Sequence, residues 1–249
     1  MTSSKNRRLP SFIQEMEHIV ALSGGKDSTA MALRLAEIEP RGYEYICTPT
    51  GDELPEMEGH WKRLEGILGK ELIRLKNHDL DFWIEEFKAL PNWRQRWCTR
   101  LLKITPCLAF LRVHQPATLY VGLRADEEER KGLYSTEVLT DFPLRRWGWG
   151  IKEVREYLKV RGVCIPRRTD CARCYDQRLI EWKRLWQLHP KIYAKAEAQE
   201  QRLGCTFRGP GRDNWPAPLV ELRVAFASGR KVRGEAQYEE YERCRVCRM

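Results

Sequence analysis

Apolar and polar residues alternate in a pattern that changes along the chain. His18-Ile19-Val20-Ala21-Leu22 is a short apolar run suited to a buried strand, and Asp27 to Ile38 carries Met31, Leu33 and Leu35 at helical spacing. Tyr43 to Thr48 predicts a second strand, Glu56 to Leu68 a helix, and Glu71 to Leu75 a third strand. Helical stretches at Asp79 to Ala89 and Cys98 to Val113 lead into Thr118-Leu119-Tyr120-Val121-Gly122, whose β-branched and aromatic residues predict a further strand. This β-α-β order predicts an α/β fold, a parallel sheet with helices on both faces. Beyond about Gly150 the texture changes: amphipathic helices at Ile151 to Val160 and Gln177 to Leu188 flank a segment rich in Pro, Arg and Cys, from Cys164 to Cys174. Arg208 to Pro218 is dense in Gly and Pro and predicts a loop. Two regions follow, an α/β domain over 14–150 and a helical, cysteine-bearing region over 151–249.

A length of 249 residues allows one well-buried core with a small appendage. No apolar run is long enough to span a bilayer, and the polar, basic start from Met1 to Arg8 lacks the apolar stretch of a signal sequence, so a cytoplasmic address without membrane association is expected. Lys and Arg number 44 against 35 Asp and Glu, a formal charge of +9, which favours a polyanionic partner through counterion release, although a nucleotide substrate or solubility accounts for it equally. Nine cysteines in a reducing compartment argue for metal, iron–sulfur or sulfur-transfer chemistry rather than disulfides.

The clearest chemistry lies between the first strand and the first helix, in Ser23-Gly24-Gly25-Lys26-Asp27-Ser28. Glycines let backbone N–H groups approach an anion, the helix N-terminus adds partial positive charge, and Lys26 adds a full one. Ser23 and Ser28 can donate hydroxyl hydrogen bonds. Asp27 would repel phosphate unless it holds a magnesium ion or orients a neighbouring donor. An ordinary glycine turn would explain Gly24 and Gly25 but not the polar residues around them, and the Walker A spacing is absent.

Ser23 to Ser28 resembles the PP-loop of N-type ATP pyrophosphatases, which implies a Rossmann-like, adenine nucleotide alpha hydrolase fold. Further segments resemble the phosphoadenosine phosphosulfate reductase-like branch of that superfamily. Thr48-Pro49-Thr50-Gly51-Asp52-Glu53-Leu54-Pro55-Glu56 is similar to its T-D-T-G-x-x-x-P-E run, and Val121-Gly122-Leu123-Arg124-Ala125-Asp126-Glu127 to its G-[IL]-R-x-x-E/D run. Pro143-Leu144 with Trp147, then Asp170-Cys171-Ala172-Arg173-Cys174, Trp182 and His189-Pro190 resemble its later part, so the likeness runs from about His18 to Tyr193. It implies nucleotide contacts from Thr50, Gly51, Gly122 and Arg124 beside the loop, although Arg124 could instead pair with the acidic run Asp126 to Glu129. Pro49 stands where the branch has Asp, which leaves any carboxylate role there to Asp52 or Glu53. The Lys26-Asp27 pair resembles ATP-cleaving members more than sulfonucleotide reductases.

Cys98-Thr99-Arg100-Leu101-Leu102-Lys103-Ile104-Thr105-Pro106 resembles the segment carrying a cluster-ligating cysteine in the DNA phosphorothioation sulfur-transfer enzymes and, with a second Cys, in iron–sulfur adenylylsulfate reductases. Cys171 and Cys174 match the second half of that site. The resemblance implies a 4Fe-4S cluster on Cys98, Cys171 and Cys174 with a fourth ligand elsewhere: Cys244 or Cys247 by preference, otherwise Cys164, Cys205 or a non-protein ligand. Cys171, Cys174, Cys244 and Cys247 would alternatively suit a structural Zn2+ knuckle. Cys247, among Arg243, Arg245 and Arg248, could instead be a catalytic thiolate, carrying a persulfide or attacking a sulfonucleotide. Cys47 and Cys107 fall in apolar elements and are expected to pack. Lys103 and Arg100 could bind phosphate or simply form a wet helix face. Trp93, Trp97, Trp147 and Trp149 lie among arginines and could stack on bases, although packing explains them with fewer assumptions.

Taken together, the resemblance implies an ATP-dependent sulfurtransferase in which Lys26 and Asp27 act with ATP and Mg2+, nucleic acid is the acceptor and a cysteine desulfurase supplies sulfur. Reduction of phosphoadenylyl or adenylyl sulfate is the alternative activity. A zinc-containing accessory protein that binds nucleic acid without catalysis is a third possibility.

Overall fold

The computed structural model describes residues 15–130 and 138–235. Five short strands, β1 (Glu17–Ala21), β2 (Tyr43–Cys47), β3 (Leu72–Arg74), β4 (Ala117–Tyr120) and β5 (Leu139–Asp141), form one sheet in the order β3-β2-β1-β4-β5, and all neighbours are parallel. The order reverses between β1 and β4. At such a switch point the connections depart to opposite sides and leave a crevice at the carboxyl ends of the strands.

Side chains alternate across each strand, and both faces are apolar. Val20, Tyr45 and Tyr120 face one core with residues of α1 (Lys26–Ile38), α2 (Pro55–Leu68) and α7 (Ile151–Val160). Their neighbours Ile19, Ile46 and Leu119 face the other with Cys107 and Leu111. The expected sheet with helices on both faces is therefore present, and Cys47 and Cys107 are packing residues, 4% and 3% exposed.

Two smaller helices lie between these, α3 (Leu80–Phe87) and α4 (Trp97–Thr99). The helix expected over Cys98 to Val113 is broken into α4, a π-turn at Arg100–Ile104, and α5 (Thr105–Val113). Thr105 donates back to the Arg100 carbonyl, five residues away, and Pro106 follows without an N–H to give; a register change at that point spares the ladder a missing donor.

After α6 (Pro143–Arg146) and α7 come α8 (Leu179–Leu188), α9 (Pro190–Leu203) and α10 (Leu219–Ala227). Trp182, Leu185, Tyr193, Ala196, Leu222 and Phe226 of these helices build a second core, which also takes in Leu80 and Ile84 of α3 and Leu102 of the π-turn. Residues from both sides of position 150 are thus mixed in each layer: α7 covers the sheet, and α3 belongs with the later helices. Strand β5 and helices α9 and α10 had no counterpart in the sequence pattern. No helix among the described residues is long and apolar enough to cross a membrane.

Candidate functional site

The crevice at the sheet's switch point is a cleft of about 1570 Å³ that includes Ser23, Gly25, Lys26, Asp27, Ser28 and Gly122 in its lining. The loop is held open from behind by α2. His60, 1% exposed, sets Nε2 2.9 Å from the Gly24 carbonyl, and the Trp61 indole N–H donates to the Ser23 carbonyl at 3.0 Å. With those two carbonyls bound on the α2 side, the turn into α1 offers its N–H groups to the cleft. No side chain caps α1 at Gly25, so the first amides of the helix are free for an anion.

Glycine is required twice in this turn's packing. Gly24 has φ +85°, and a Cβ there would lie 2.8 Å from the Trp61 indole nitrogen. Gly122, just past β4, backs directly onto the loop: a Cβ would stand 3.0 Å from the Ser28 nitrogen. Gly122 therefore determines how closely the sheet approaches the phosphate loop.

Charges in the loop are arranged in a chain. Asp27 accepts from Lys26 at 3.2 Å and from Arg124 at 2.8 Å, both through Oδ2. Its Oδ1 is buried without a hydrogen-bond partner. Arg124 also binds Asp126 at 2.8 Å and lies 3.6 Å from Glu127, so the acidic neighbours and the loop share it. Ser23 and Ser28 join through their hydroxyls at 3.0 Å.

A magnesium ion fits this arrangement. It takes one or two carboxylate oxygens and completes its shell with water and substrate phosphate, and the orphaned Asp27 Oδ1 is an oxygen of that kind within the phosphate loop. Bound there, magnesium would neutralise charge on a phosphate held by the loop.

Thr50 and Gly51 sit apart from the cleft lining. Glu53 accepts from the Thr50 amide at 2.6 Å, the Thr50 hydroxyl at 2.7 Å and the Gly51 amide at 3.0 Å, tying the segment into a compact turn. Gly51 has φ +73°, and a Cβ would collide with Asp79 at 2.4 Å. Asp52 is 6% exposed and grips Arg173, which gives its backbone N–H at 2.8 Å and its Nε at 2.6 Å. Arg173, 1% exposed, reaches on to Asp81 at 2.8 Å and Gln199 at 2.6 Å. Burial raises the Asp52 carboxyl against the pull of Arg173, whereas Asp81, also raised by burial, is brought down to about 2 by hydrogen bonds from Arg173 and Lys195. Both carboxylates left in place of the missing Asp at position 49 are thus occupied in structure. Arg173, between the two cysteines of the C-x-x-C pair, went unassigned in the sequence because nothing local reveals its distant partners.

The C-x-x-C loop lies against this turn, where the Thr50 hydroxyl reaches Cys171 Sγ at 3.2 Å. Lys103 lines the cleft and is pulled up from its ordinary value chiefly by Cys171, with Asp170, Cys174 and Cys98 adding to the effect. Burial is the main cause of the raised thiols at Cys98, Cys171 and Cys174, with Cys171 pushed up to about 11. Cys171, Cys174 and Cys98 thus all act electrostatically on Lys103, a residue of the cleft lining. Thiolate sulfur suits iron–sulfur clusters and zinc, yet among the described residues no three His, Cys, Asp or Glu side chains are grouped to hold a metal ion. The ligand expected at Cys244 and the catalytic thiol expected at Cys247 lie outside the described residues.

The rest of the cleft is strongly basic, with Arg130, Arg155, Lys159, Arg167, Arg168, Arg178 and Arg233 beside Lys26 and Lys103, against Asp27, Asp170, Glu181 and Asp213. Trp215 lines it as well. Of the other tryptophans, Trp97, Trp147 and Trp149 pack against the cores, while Trp93 is 67% exposed under Arg94. Arg100 is exposed, and His189 pairs with Glu56 at 3.2 Å.

A family model described as phosphoadenosine phosphosulfate reductase domain matches residues 17–166, well over half of the chain. The chain belongs to that family. It is also 23% identical over 221 residues to an uncharacterized protein of Methanocaldococcus jannaschii, a match covering 79% of this chain and 45% of the relative. The chain thus spans under half the length of that relative. Among solved structures, a phosphoadenylyl-sulfate reductase from Candida auris in complex with phosphate aligns over 62% of this chain and 77% of its own, with 13% identity and a TM-score of 0.49.

Proposed function

We propose that this member of the phosphoadenosine phosphosulfate reductase domain family is an ATP-dependent sulfurtransferase. The observation that carries the reading is Asp27: a carboxylate inside a phosphate loop, one oxygen held by Lys26 and Arg124 and the other buried and unpartnered. A loop that binds only a sulfonucleotide has no use for a carboxylate oxygen left without a partner beside its phosphates. A loop that binds ATP with magnesium does.

In this reading the α1 amides, Ser23 and Lys26 hold the triphosphate. An acceptor oxygen bonds to the α-phosphorus as the bond to the β-phosphate oxygen breaks, and Lys26 takes up charge on the departing pyrophosphate. The terminal sulfur of a persulfide, supplied by a cysteine desulfurase, then bonds to the activated acceptor as AMP leaves. A second thiol releases the product as the carrier forms a disulfide, and this reading assigns that exchange to Cys98, Cys171 and Cys174.

A nucleic acid is the proposed acceptor. Drug-sized ligands fill pockets of roughly 300–1000 Å³; the cleft's 1570 Å³ exceeds that range, and its rim is cationic. Phosphate backbones bind such rims largely through counterion release. Sulfonucleotide reduction is the second reading, favoured by the family itself.

Calorimetric titration separates these readings. MgATP is expected to bind, with pyrophosphate released on adding an acceptor, and Lys26→Ala should weaken binding about 10-fold or more, in line with loss of a charge-assisted contact. Sulfite release from a sulfonucleotide without pyrophosphate release from ATP would favour the reductase. Absence of both ligands' binding, with Lys26→Ala indistinguishable from the parent, would sink the enzymatic reading.

A further inference from the structure

Asp213, Asn214 and Trp215 bring the Gly- and Pro-rich loop between α9 and α10 into the lining of the nucleotide cleft. A loop of that composition is loose unless something ties it down. Two arginines tie this one. Arg208, 1% exposed, donates to the Asp213 carboxylate at 2.7 Å and to the Pro216 carbonyl at 2.5 Å, and Asp213 in turn accepts from the Trp215 amide at 2.9 Å. Arg230 donates to the Asn214 carbonyl at 3.0 Å and lays its guanidinium over the Trp215 ring, 4.0 Å from the centroid. Phe226 of α10 packs on the same indole, with ring centroids 5.7 Å apart.

What the fixed loop presents to the cleft is an aromatic ring beside an amide. Trp215 is half-buried: it packs against the helical core and also forms part of the cleft lining. Asn214 is exposed in that lining, and its side-chain amide has no hydrogen-bond partner among the described residues. An amide carries a donor and an acceptor side by side, the pattern that matches the edge of a nucleobase, and an indole offers a flat surface on which a base stacks. Arg155 and Arg233 line the same cleft, both exposed and neither in an ion pair among the described residues, and they suit backbone phosphates. A base inside a duplex has both faces covered and its pairing edge used. Ring and amide together therefore select an unpaired base.

We propose that Asn214 and Trp215 form a subsite for an unpaired nucleobase of the acceptor, which makes the acceptor single-stranded where it enters the cleft. The proposal rests on the nucleic-acid reading above and narrows it; nucleotide binding by the phosphate loop does not depend on it.

The test is a fluorescence-anisotropy titration of the full chain with a labelled single strand of about 12 nucleotides. Trp215→Leu keeps apolar bulk and removes the ring; it should weaken binding about 5-fold or more, and Trp215→Phe should recover most of the loss. Neither should alter the salt dependence, since no charge is removed, whereas Arg233→Ala should lower both the affinity and the salt slope. A strand of equal length without bases, and the fully paired duplex, should bind the parent and Trp215→Leu alike. Asn214→Ala, at an exposed position, should weaken the base-bearing strand about 3-fold and leave the abasic strand unaffected, so the subsite stays testable even where Trp215→Leu lowers the melting temperature.

Equal affinities of the parent, Trp215→Leu and Asn214→Ala for the base-bearing strand overturn the proposal, as do losses of the same size with the abasic strand. A Trp215→Leu loss that appears with MgATP in calorimetry and not with the strand assigns the ring to the nucleotide's own adenine and overturns it too. If the parent binds no strand at all, the nucleic-acid reading falls together with the subsite, and MgATP binding with pyrophosphate release still decides the nucleotide reading.

Discussion

Asp27 shows how one residue can look misplaced until its two oxygens are treated separately. Oδ2 is neutralised by Lys26 and Arg124, which leaves Oδ1 as a buried acceptor without a hydrogen-bond partner among the described residues. Substitution Asp27→Asn keeps the shape and removes the charge. Its expected effect is a loss of magnesium dependence: ATP affinity measured with EDTA should approach the affinity measured with magnesium, whereas the parent should gain about 10-fold or more from the metal. An Asn variant that responds to magnesium as the parent does would remove Asp27 from the metal's coordination. The sequence disclosed this residue because Ser, Gly, Lys, Asp and Ser cluster within six positions. It did not disclose that Thr50 and Gly51 are bound into a turn by Glu53, since that depends on where a neighbouring carboxylate folds back.

At the scale of elements, strands and helices that bury one continuous stripe were readable, and those with short or polar patterns were not. β1, β2 and β4 announce themselves through runs of apolar residues. β5 is Leu139-Thr140-Asp141 and becomes a strand only because β4 offers it a parallel edge. α9 is rich in Glu, Gln, Lys and Arg, and its Glu200 and Gln199 are buried by tertiary partners that no periodicity encodes. The approach of β4 to α1 is the element-level feature on which the site depends. Gly122→Ala should push the loop's Ser28 amide away and weaken nucleotide binding by about 10-fold, with a smaller loss of melting temperature, since the added methyl meets loop backbone at 3.0 Å, closer than ordinary van der Waals contact. Calorimetry beside a thermal melt checks this; a variant that binds like the parent shows that the loop tolerates displacement.

The described residues build three apolar cores, one on each face of the sheet and one among the later helices, and a carboxylate buried in the helical core titrates. Burial pushes Glu200 up to about 7, against hydrogen bonds from the amides of Leu219 at 2.6 Å and Phe207 at 2.8 Å. The folded chain therefore keeps a proton that the unfolded chain gives up near 4.5. Where the native state binds more protons, stability falls with rising pH. This group's contribution is complete below about 4.5 and declines until about 7. The melting temperature of the parent relative to Glu200→Gln should fall as pH rises from about 4.5 to about 7 and level off above that, because only the parent has a buried proton to lose; a difference constant across that range would exclude Glu200 as the titrating group.

The clasp between Asp52 and Arg173 joins positions 121 residues apart and has a consequence for how this chain is made. A ribosome extrudes Asp52 and all five strand segments before the guanidinium that will neutralise it. A carboxylate cannot enter an apolar interior alone, because an uncompensated ion there costs several kcal/mol. The same arithmetic applies to a fragment ending at residue 166, where the family likeness stops: it would contain the whole sheet and lack the counter-charge. Fragment design should therefore extend past Arg173 into α9, where Gln199 completes the clasp.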